Sequence, residues 1–355
     1  MEWFYQAIEQ YDYITFRNIA FKILSIILMF AFVKKPIDYI IYAGITVVGA
    51  YGSNVLNVLR LPRYISLKKT TTYSIKRHII PIISLFLYNA ATTIYTNLDT
   101  VMLGMMTCDN QVGYYNAAVK IKGILASVVT AMSAVLLPRV SYYLSNNNRK
   151  EFSRIIKKTF QFVLLISIPL AVFFVLASKP TIMILAGEDY LPSIIPMQII
   201  TPSIIFIGIG SITAWQMLIP LCMEKVTVIG AVVGAIIDLI INFLLIPKFG
   251  ASGAAIGTLI AEISVVCVHF FALRKELKHI AFRRELVKIM TSAGIAILVY
   301  ILVDKFLFKN YILIRLSILG GSYFISNYLL LLAGKEEIVT EYTRKMIELF
   351  KKQHD

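Results

Sequence analysis

Two long apolar runs separated by a short break constrain the fold of this chain more than any other feature. They occupy residues 226–262, VTVIGAVVGAIIDLIINFLLIPKFGASGAAIGTLIAE, and the break is Pro247-Lys248-Phe249-Gly250. Proline and glycine together stop one helix and allow another to begin. The first run, Val226 to Ile246, has 21 residues. About 20 helical residues, at about 1.5 Å each, cross a hydrocarbon layer of ~30 Å, so the pattern predicts a helical hairpin in a membrane.

Small residues recur at a spacing of four in both runs, and each run also contains one acid. Small residues at this spacing let helix backbones approach closely in lipid. They are Gly230 and Gly234, followed by Asp238, and Gly253 and Gly257, followed by Glu262. We therefore expect a tightly packed hairpin that carries two buried carboxylates.

The composition of the whole chain supports a membrane protein. Of its 355 residues, 58% are hydrophobic and 15% are charged, and the mean hydropathy is +0.75. A water-soluble chain of this length has no interior large enough for so much apolar surface. The apolar runs are long and continuous, whereas barrel strands alternate in runs of about ten residues. The predicted fold class is therefore an all-α polytopic membrane protein.

Ten segments are candidate spans. The third mixes Asn, Thr and Tyr with apolar residues, which is typical of a helix that faces a bundle interior or a cavity. Residues 179–195 are too short and too broken by Pro and Gly to cross, so we expect an interfacial or re-entrant connection there. Residues 1–14 are aromatic and acidic and are also expected at the interface. The spans are 15–33, 37–59, 79–102, 114–137, 159–178, 195–218, 226–247, 251–273, 286–304 and 311–333.

The basic residues predict the orientation. The loops and tail on one side of the predicted spans contain 24 Lys and Arg, and those on the other side contain 6. Loops rich in Lys and Arg are cytoplasmic, so both termini are predicted there. The net charge of +15 then reflects topology and contact with anionic lipid, and no nucleic-acid partner is expected. The tail, 334–355, has Ile338, Tyr342, Met346 and Phe350 at four-residue spacing, which predicts an amphipathic helix lying on the membrane.

No arrangement of residues indicates catalysis. The four histidines are scattered, no phosphate-binding glycine loop is present, and the longest predicted outer loop, 179–194, has 16 residues. The three cysteines, Cys108, Cys222 and Cys267, have no disulfide or metal-ligand spacing. We expect no enzyme activity, no cofactor and no metal.

The third and fourth spans contain the densest set of polar candidates for substrate binding. Lys120 lies four residues after Asn116 and so shares a helix face with it. Lys122 is about 200° further around that helix, because each residue turns it by about 100°. The alternative is that both lysines extend to the outer interface. The full set is Asn89, Asn97, Asn116, Lys120 and Lys122, together with Arg17 and Lys22 on the first span.

Three acids within spans are candidates for ion coupling: Asp99, Asp238 and Glu262. A buried acid is costly and requires a reason. For Asp99 the structural alternative is a salt bridge to Lys120. Asp238, twelve residues after Val226, either pairs with a cation or carries a proton. Interhelical hydrogen bonding is an equal alternative to a proton relay for Asp238 and Glu262.

Several segments resemble the polysaccharide-biosynthesis flippases, which belong to the superfamily that contains the MATE drug exporters. The segments are WFYQAIEQYDYITFRNI, NLDTVMLGMM, GYYNAAVKI, LLPRVSYYL and NFLLIPKFGASGAAIGTLIAE. The resemblance implies two six-helix lobes around a cavity, with an added helix pair. By order, residues 1–59 correspond to the last two N-lobe spans, 60–78 to a basic cytoplasmic linker, 79–273 to the C-lobe, and 274–333 to the added pair. The first four spans of the family would be missing, so we expect a fragment, in which transport is in doubt.

The resemblance implies that undecaprenyl-diphosphate-linked repeat units of O-antigen, lipopolysaccharide or capsule are flipped by alternating access in the bacterial cytoplasmic membrane. Cavity cations would hold the diphosphate, which favours Lys120 over Lys22 and Arg17. The implied partners are the lipid-linked oligosaccharide, membrane lipids, a polysaccharide polymerase and a chain-length regulator. Two alternatives are a MATE-type cation-coupled drug exporter and an integral-membrane glycan polymerase.

Overall fold

The computed structural model describes residues 2–35, 38–64, 75–146, 148–278, 283–307 and 311–354. The described chain is almost entirely helical, as expected for an all-α membrane protein. The helices are α1 (Glu2–Ala7), α2 (Tyr11–Phe32), α3 (Tyr39–Arg60), α4 (Ile75–Met106), α5 (Asp109–Ser145), α6 (Arg149–Leu176), α7 (Ser178–Leu185), α8 (Ile194–Ile200), α9 (Ser203–Ser211), α10 (Glu224–Phe249), α11 (Ala251–Ala272), α12 (Arg274–Leu277), α13 (Arg283–Phe306), α14 (Ile312–Ala333) and α15 (Glu337–His354). Short 3₁₀ turns cover Leu61–Arg63 and Glu188–Ser193, and a π-helix covers Ile212–Leu218.

Each of the ten predicted spans coincides with a helix or a broken helix. Within the described residues, seven helices are long and apolar enough to cross a membrane, and an eighth crossing is formed if a bent pair counts as one. The helices at the second and third predicted positions, α3 and α4, have 22 and 32 residues but are not among the seven identified in the described residues. The seven are α2, α5, α6, α10, α11, α13 and α14.

The prediction of one continuous helix over 195–218 is wrong, because the chain forms two helical segments there with a bend between them. The chain bends by 46° between Glu188–Ile200 and Ser203–Leu218. Pro202 lies in the break and has no N–H to donate to the preceding turn. The local hydrogen bonds there run from the N–H of Ile204 to the carbonyl of Thr201 at 3.1 Å and from that of Ile205 to Pro202 at 3.2 Å.

The chain divides into two compact units, Met1–Arg77 and His78–Asp355. In the first unit, Tyr5 on α1 is buried, and its hydroxyl donates to the carbonyl of Asn57 on α3 at 2.9 Å. The guanidinium of Arg60 lies 4.2 Å from the ring centroid of Tyr13. These contacts hold α1 against the ends of α2 and α3. Trp3 is exposed as expected for an interfacial residue, but Tyr5 is not.

In the second unit, α10 and α11 form the predicted hairpin, and they pack closely. A Cβ atom on Gly253 would lie 2.5 Å from the carbonyl oxygen of Leu245, and one on Gly234 would lie 2.6 Å from Cγ2 of Val265. The small residues therefore do allow the backbones to approach. The turn differs from the expectation, since α10 continues through Pro247 and only Gly250, with φ +53° and ψ −128°, separates the two helices.

The tail helix α15 is amphipathic as predicted, but its first turn is docked on protein rather than lying free on the membrane. Ile338 and Val339 are buried, and Glu341 forms a 2.9 Å ion pair with Lys158 of α6. Hydrogen bonds from Lys345 and Lys158 lower the pKa of Glu341 to about 2. On the predicted apolar face, Tyr342 and Met346 are exposed, and the side chain of Phe350 lies outside the described set.

Candidate functional site

Asp99 on α4 lies at the centre of a buried polar network. Its side chain is 1% exposed. The Nδ2 group of Asn242 donates to Oδ1 at 2.6 Å, and the hydroxyl of Thr258 donates to Oδ2 at 2.7 Å. The hydroxyl of Tyr115 donates to the same carboxylate. Donors from α5, α10 and α11 thus converge on one acid. Among the described residues, the salt bridge to Lys120 that was the structural alternative is not formed.

Asp238 on α10 adjoins this network and is completely buried. Within the described part of the chain, neither of its carboxylate oxygens has a hydrogen-bond partner, and neither has Oδ1 of Asn242. Asp99, Lys122 and Glu262 are the charged groups that act on it. Gly257 of α11 leaves room for these groups, because a Cβ there would lie 2.9 Å from Oδ1 of Asp238.

The three predicted acids therefore gather in one region of the second unit. Glu262 and Lys122 are also buried, with 8% and 9% exposure. Among the described residues the cluster contains three carboxylates and one ammonium, and buried carboxylates are costly to ionise in a low-dielectric interior. The cluster can lower this cost by binding a proton or a monovalent cation. Where the chain is described, no group of three or more His, Cys, Asp or Glu is arranged to ligate a metal ion.

Lys122 and Glu262 line a cleft of about 290 Å³ that also contains His269 and Trp215. His269 is buried, and its Nδ1 is hydrogen-bonded to the hydroxyl of Thr213 at 2.8 Å. Its Nε2 has no partner among the described residues. Thr213 and Trp215 lie in the π-helical segment, and π-helical turns occur frequently at functional sites.

His269 was not among the site residues predicted from the sequence. The spacing of Thr258, Glu262 and His269, four and then seven residues apart, places all three on one face of α11. That periodicity is the signal that could have identified His269. The polar face extends from the network around Asp99 to the opposite end of the helix.

Lys120 lines a different cleft, which has a volume of about 550 Å³ and is also lined by Asn116 and Tyr190. Both Lys120 and Asn116 are exposed to it. The hydroxyl of Thr100 lies 3.4 Å from Oδ1 of Asn116. The prediction that Lys120 and Lys122 face different sides of α5 agrees with this arrangement.

Of the other predicted binding residues, the two on α4 line neither cleft. On α4, Asn89 and Asn97 are exposed, and their amides donate to the carbonyls of Leu85 and Thr93 at 2.9 and 2.8 Å. In the first unit, Lys22 is exposed, whereas Arg17 is buried and bonded to Asn57, Glu2 and Asn18. The substrate-binding role of all seven residues stays a prediction.

Comparison with known proteins agrees with the helical architecture. A solved structure of the lipid II flippase MurJ in an inward closed conformation superposes with a TM-score of 0.59. The two chains are 20% identical in sequence, and the match covers 82% of this chain and 65% of the MurJ chain. The likeness identifies the fold. Together with the membrane-spanning helices, it defines the chain as a multi-pass membrane protein of the MATE-like fold.

Sequence comparison is more specific. The family described as polysaccharide biosynthesis protein matches residues 1–144, and the MatE family matches residues 84–244. An uncharacterized membrane protein of Methanocaldococcus jannaschii is 30% identical over 66% of this chain and 46% of its own length. A putative O-antigen transporter of Shigella dysenteriae is 26% identical over 74% of this chain and 66% of its own length. These matches support a polysaccharide biosynthesis or MATE-like flippase family for the chain, which spans about half to two thirds of the length of these relatives.

Proposed function

We propose that this chain moves undecaprenyl-diphosphate-linked oligosaccharide repeat units across the bacterial cytoplasmic membrane, for O-antigen, capsule or another surface polysaccharide. The observation that carries the proposal is the cleft at Lys120 and Asn116 on a membrane-spanning helix of this family. A diphosphate is an anion that an ammonium binds through charge-assisted hydrogen bonds. The asparagine amide at the same face can donate to a phosphate or sugar oxygen. The polyprenyl tail would stay in lipid while the helices alternate between inward- and outward-facing arrangements.

Reconstitution of the full chain in liposomes tests this proposal. A fluorescent lipid-linked oligosaccharide is placed in one leaflet, and its appearance in the other is followed with a membrane-impermeant quencher. We expect transfer faster than in empty liposomes, and Lys120→Ala to slow it by about 10-fold or more, because a hydrogen bond to a charged group contributes ~1.5–3 kcal/mol.

The matched control is Lys225→Gln, which removes an exposed lysine at the start of α10 outside the cleft. Transfer equal to that of empty liposomes contradicts the proposed function. Normal transfer by Lys120→Ala would remove Lys120 from the substrate site while leaving the transport activity in place.

The buried acids are the proposed site of energy coupling. Asp99 and Glu262 lie beside Asp238, and a proton or monovalent cation bound there would neutralise part of the cluster. Its release would restore the electrostatic cost and so bias the packing of α4 and α5 against the hairpin. We expect that an imposed cation gradient no longer stimulates transfer in Asp238→Asn. Transfer without a gradient should still be measurable in this variant. Stimulation that is unchanged in this variant would exclude Asp238 from coupling.

One observation favours a second function. In the described part of the chain the buried cluster brings together three acids, and buried acids suit a cationic drug as well as a small cation. In this alternative, the chain exports lipophilic cations. Cells that express it would then accumulate less ethidium, and Asp99→Asn would reverse the effect. Lipid-linked oligosaccharide transfer would be absent.

The proposed orientation places both termini in the cytoplasm. By order, 1–59 would include the last two spans of an N-lobe, 60–78 a cytoplasmic linker, 79–273 the C-lobe and 274–333 the added helix pair. A fluorescent protein fused after Asp355 should fluoresce, whereas alkaline phosphatase fused there should be inactive. The reverse result would invert the orientation. The partners implied for the pathway, a polymerase and a chain-length regulator, would contact this chain from the same membrane.

A further inference from the structure

A separate cleft lies where α13 ends and α14 begins, beside α7. Its volume is about 380 Å³. It lies away from the acid cluster and from the clefts at Lys120 and Lys122, since it shares no lining residue with either cleft. The lining residues are Leu176, Lys179, Pro180, Met183, Tyr300, Asp304, Ile312 and Arg315.

The polar side of the cleft has a net positive charge. Arg315 donates from Nε and Nη2 to Oδ1 of Asp304, at 3.0 and 2.6 Å. The two opposite charges largely cancel, because they are in contact in a pair that is only partly exposed. Lys179 is exposed and forms no ion pair within the described ranges. One unneutralised ammonium therefore remains beside a guanidinium that is fixed by a carboxylate.

The rest of the cleft is apolar, and its depth corresponds to the boundary between headgroups and hydrocarbon. Asp304 lies two residues before the end of α13, and Arg315 is the fourth residue of α14, so both lie within about one helical turn, ~5 Å, of a span end. Leu313 and Ile314, on the outward side of α14, are 65% and 57% exposed. In a membrane-spanning helix, such residues contact lipid. The cationic part of the cleft is thus continuous with a lipid-facing surface.

We propose that this cleft binds the phosphate of an anionic phospholipid from the surrounding leaflet. Lys179 supplies the charge, Arg315 supplies a planar donor next to it, and the apolar wall accommodates the glycerol and the first methylenes of an acyl chain. The apolar wall and the depth at a span end favour a phosphate carried on a lipid over a free phosphate ion. This site does not depend on the proposed transport activity.

Lipid binding to the purified full chain in detergent tests the proposal, with phosphatidylglycerol titrated and bound lipids counted by native mass spectrometry. The comparison ligands are phosphatidylcholine, which has the same phosphate with a compensating cation, and inorganic phosphate. We expect Lys179→Gln to weaken phosphatidylglycerol binding about 5-fold, which corresponds to ~1 kcal/mol for one basic residue near an anionic lipid. Asp304→Asn should tighten binding, because it frees the Arg315 charge.

Lys305→Gln is the matched control, since Lys305 is an exposed lysine in the last turn of α13 that does not line the cleft. It should change the affinity less than 2-fold on the same scale. Equal losses in Lys179→Gln and Lys305→Gln would overturn the proposal in favour of unspecific attraction. Competition by millimolar inorganic phosphate would overturn it in favour of a free-anion site. Phosphatidylcholine bound as tightly as phosphatidylglycerol would also overturn it.

Discussion

A close backbone approach in the hairpin predicts how two glycine-to-alanine substitutions will differ in their effect on stability. Gly253 of α11 faces the carbonyl oxygen of Leu245 on α10, and a Cβ would lie 2.5 Å from that oxygen and 2.6 Å from its carbon. These are backbone atoms, so no side-chain rotation can relieve the overlap. Gly294 of α13 is also helical, but a Cβ added there would meet nothing within 4 Å.

The two alanine substitutions should therefore differ in their effect on stability. Replacement of a helical glycine by alanine gains about 0.8–1 kcal/mol of helix propensity at either position. Overpacking of a filled interface costs about 1–3 kcal/mol. We expect Gly294→Ala to be neutral or slightly more stable than the wild type, and Gly253→Ala to be less stable than Gly294→Ala by about the overpacking cost, 1–3 kcal/mol.

Reversible unfolding in lipid bicelles can be measured by steric trapping. This gives the free energies of unfolding of both variants under one set of conditions. The difference between the two variants isolates the packing term, because the helix-propensity term is common to both. If Gly253→Ala and Gly294→Ala are equally stable, the close approach of α10 and α11 does not exist as described.

Three further predictions follow from other contacts. Asp99→Ala leaves three interhelical donors without their acceptor and should cost about 2–5 kcal/mol at ~0.6–1.7 kcal/mol each; Tyr115→Phe, which loses one bond, should cost about a third as much in the same unfolding assay, and equal costs would contradict the network. Gly250→Ala forces an L residue into φ +53°, ψ −128° and should destabilise the protein by about 1–3 kcal/mol, seen as a lower midpoint of thermal unfolding; an unchanged midpoint would refute this. Hydrogen bonds from Lys345 and then from Lys158 lower the pKa of Glu341 to about 2 from its usual 4.5, so the pair with Lys345 within α15 and the pair with Lys158 of α6 should both be stabilising above about pH 4.5 and be lost as the pH falls towards 2; hydrogen exchange of α15 should show this, and Glu341→Gln should remove the pH dependence.

The sequence predicts the local elements of this fold well. Run length and the spacing of small residues identify the hairpin, because both are properties of single helices and of helices adjacent in the chain. The helical period alone separates Lys120 from Lys122, and they do line different clefts. The exact turn at Gly250 was less predictable, since a proline near a helix end can be tolerated in the last turn.

Contacts between distant segments were beyond sequence reasoning. Asp99 accepts hydrogen bonds from residues 143 and 159 positions away, and no local pattern specifies such a pairing. The same holds for the docking of α15 on α6, because an amphipathic face can pack on protein or on lipid equally well. The polar face that includes His269 was visible as a periodicity, but its burial depends on the π-helical segment packed against it.

The single-residue turn at Gly250 also has a consequence for how the protein is assembled in the membrane. Closing a loop of one residue costs little chain entropy, and α10 and α11 are consecutive, so this helix pair can form as soon as it is inserted. Asp99 and Tyr115 are synthesised earlier, yet Asn242 and Thr258 reach the membrane only with the hairpin. Until then Asp99 has only Tyr115, and the arrival of the hairpin provides the remaining donors. The order of synthesis thus makes the hairpin the last component that this polar network requires.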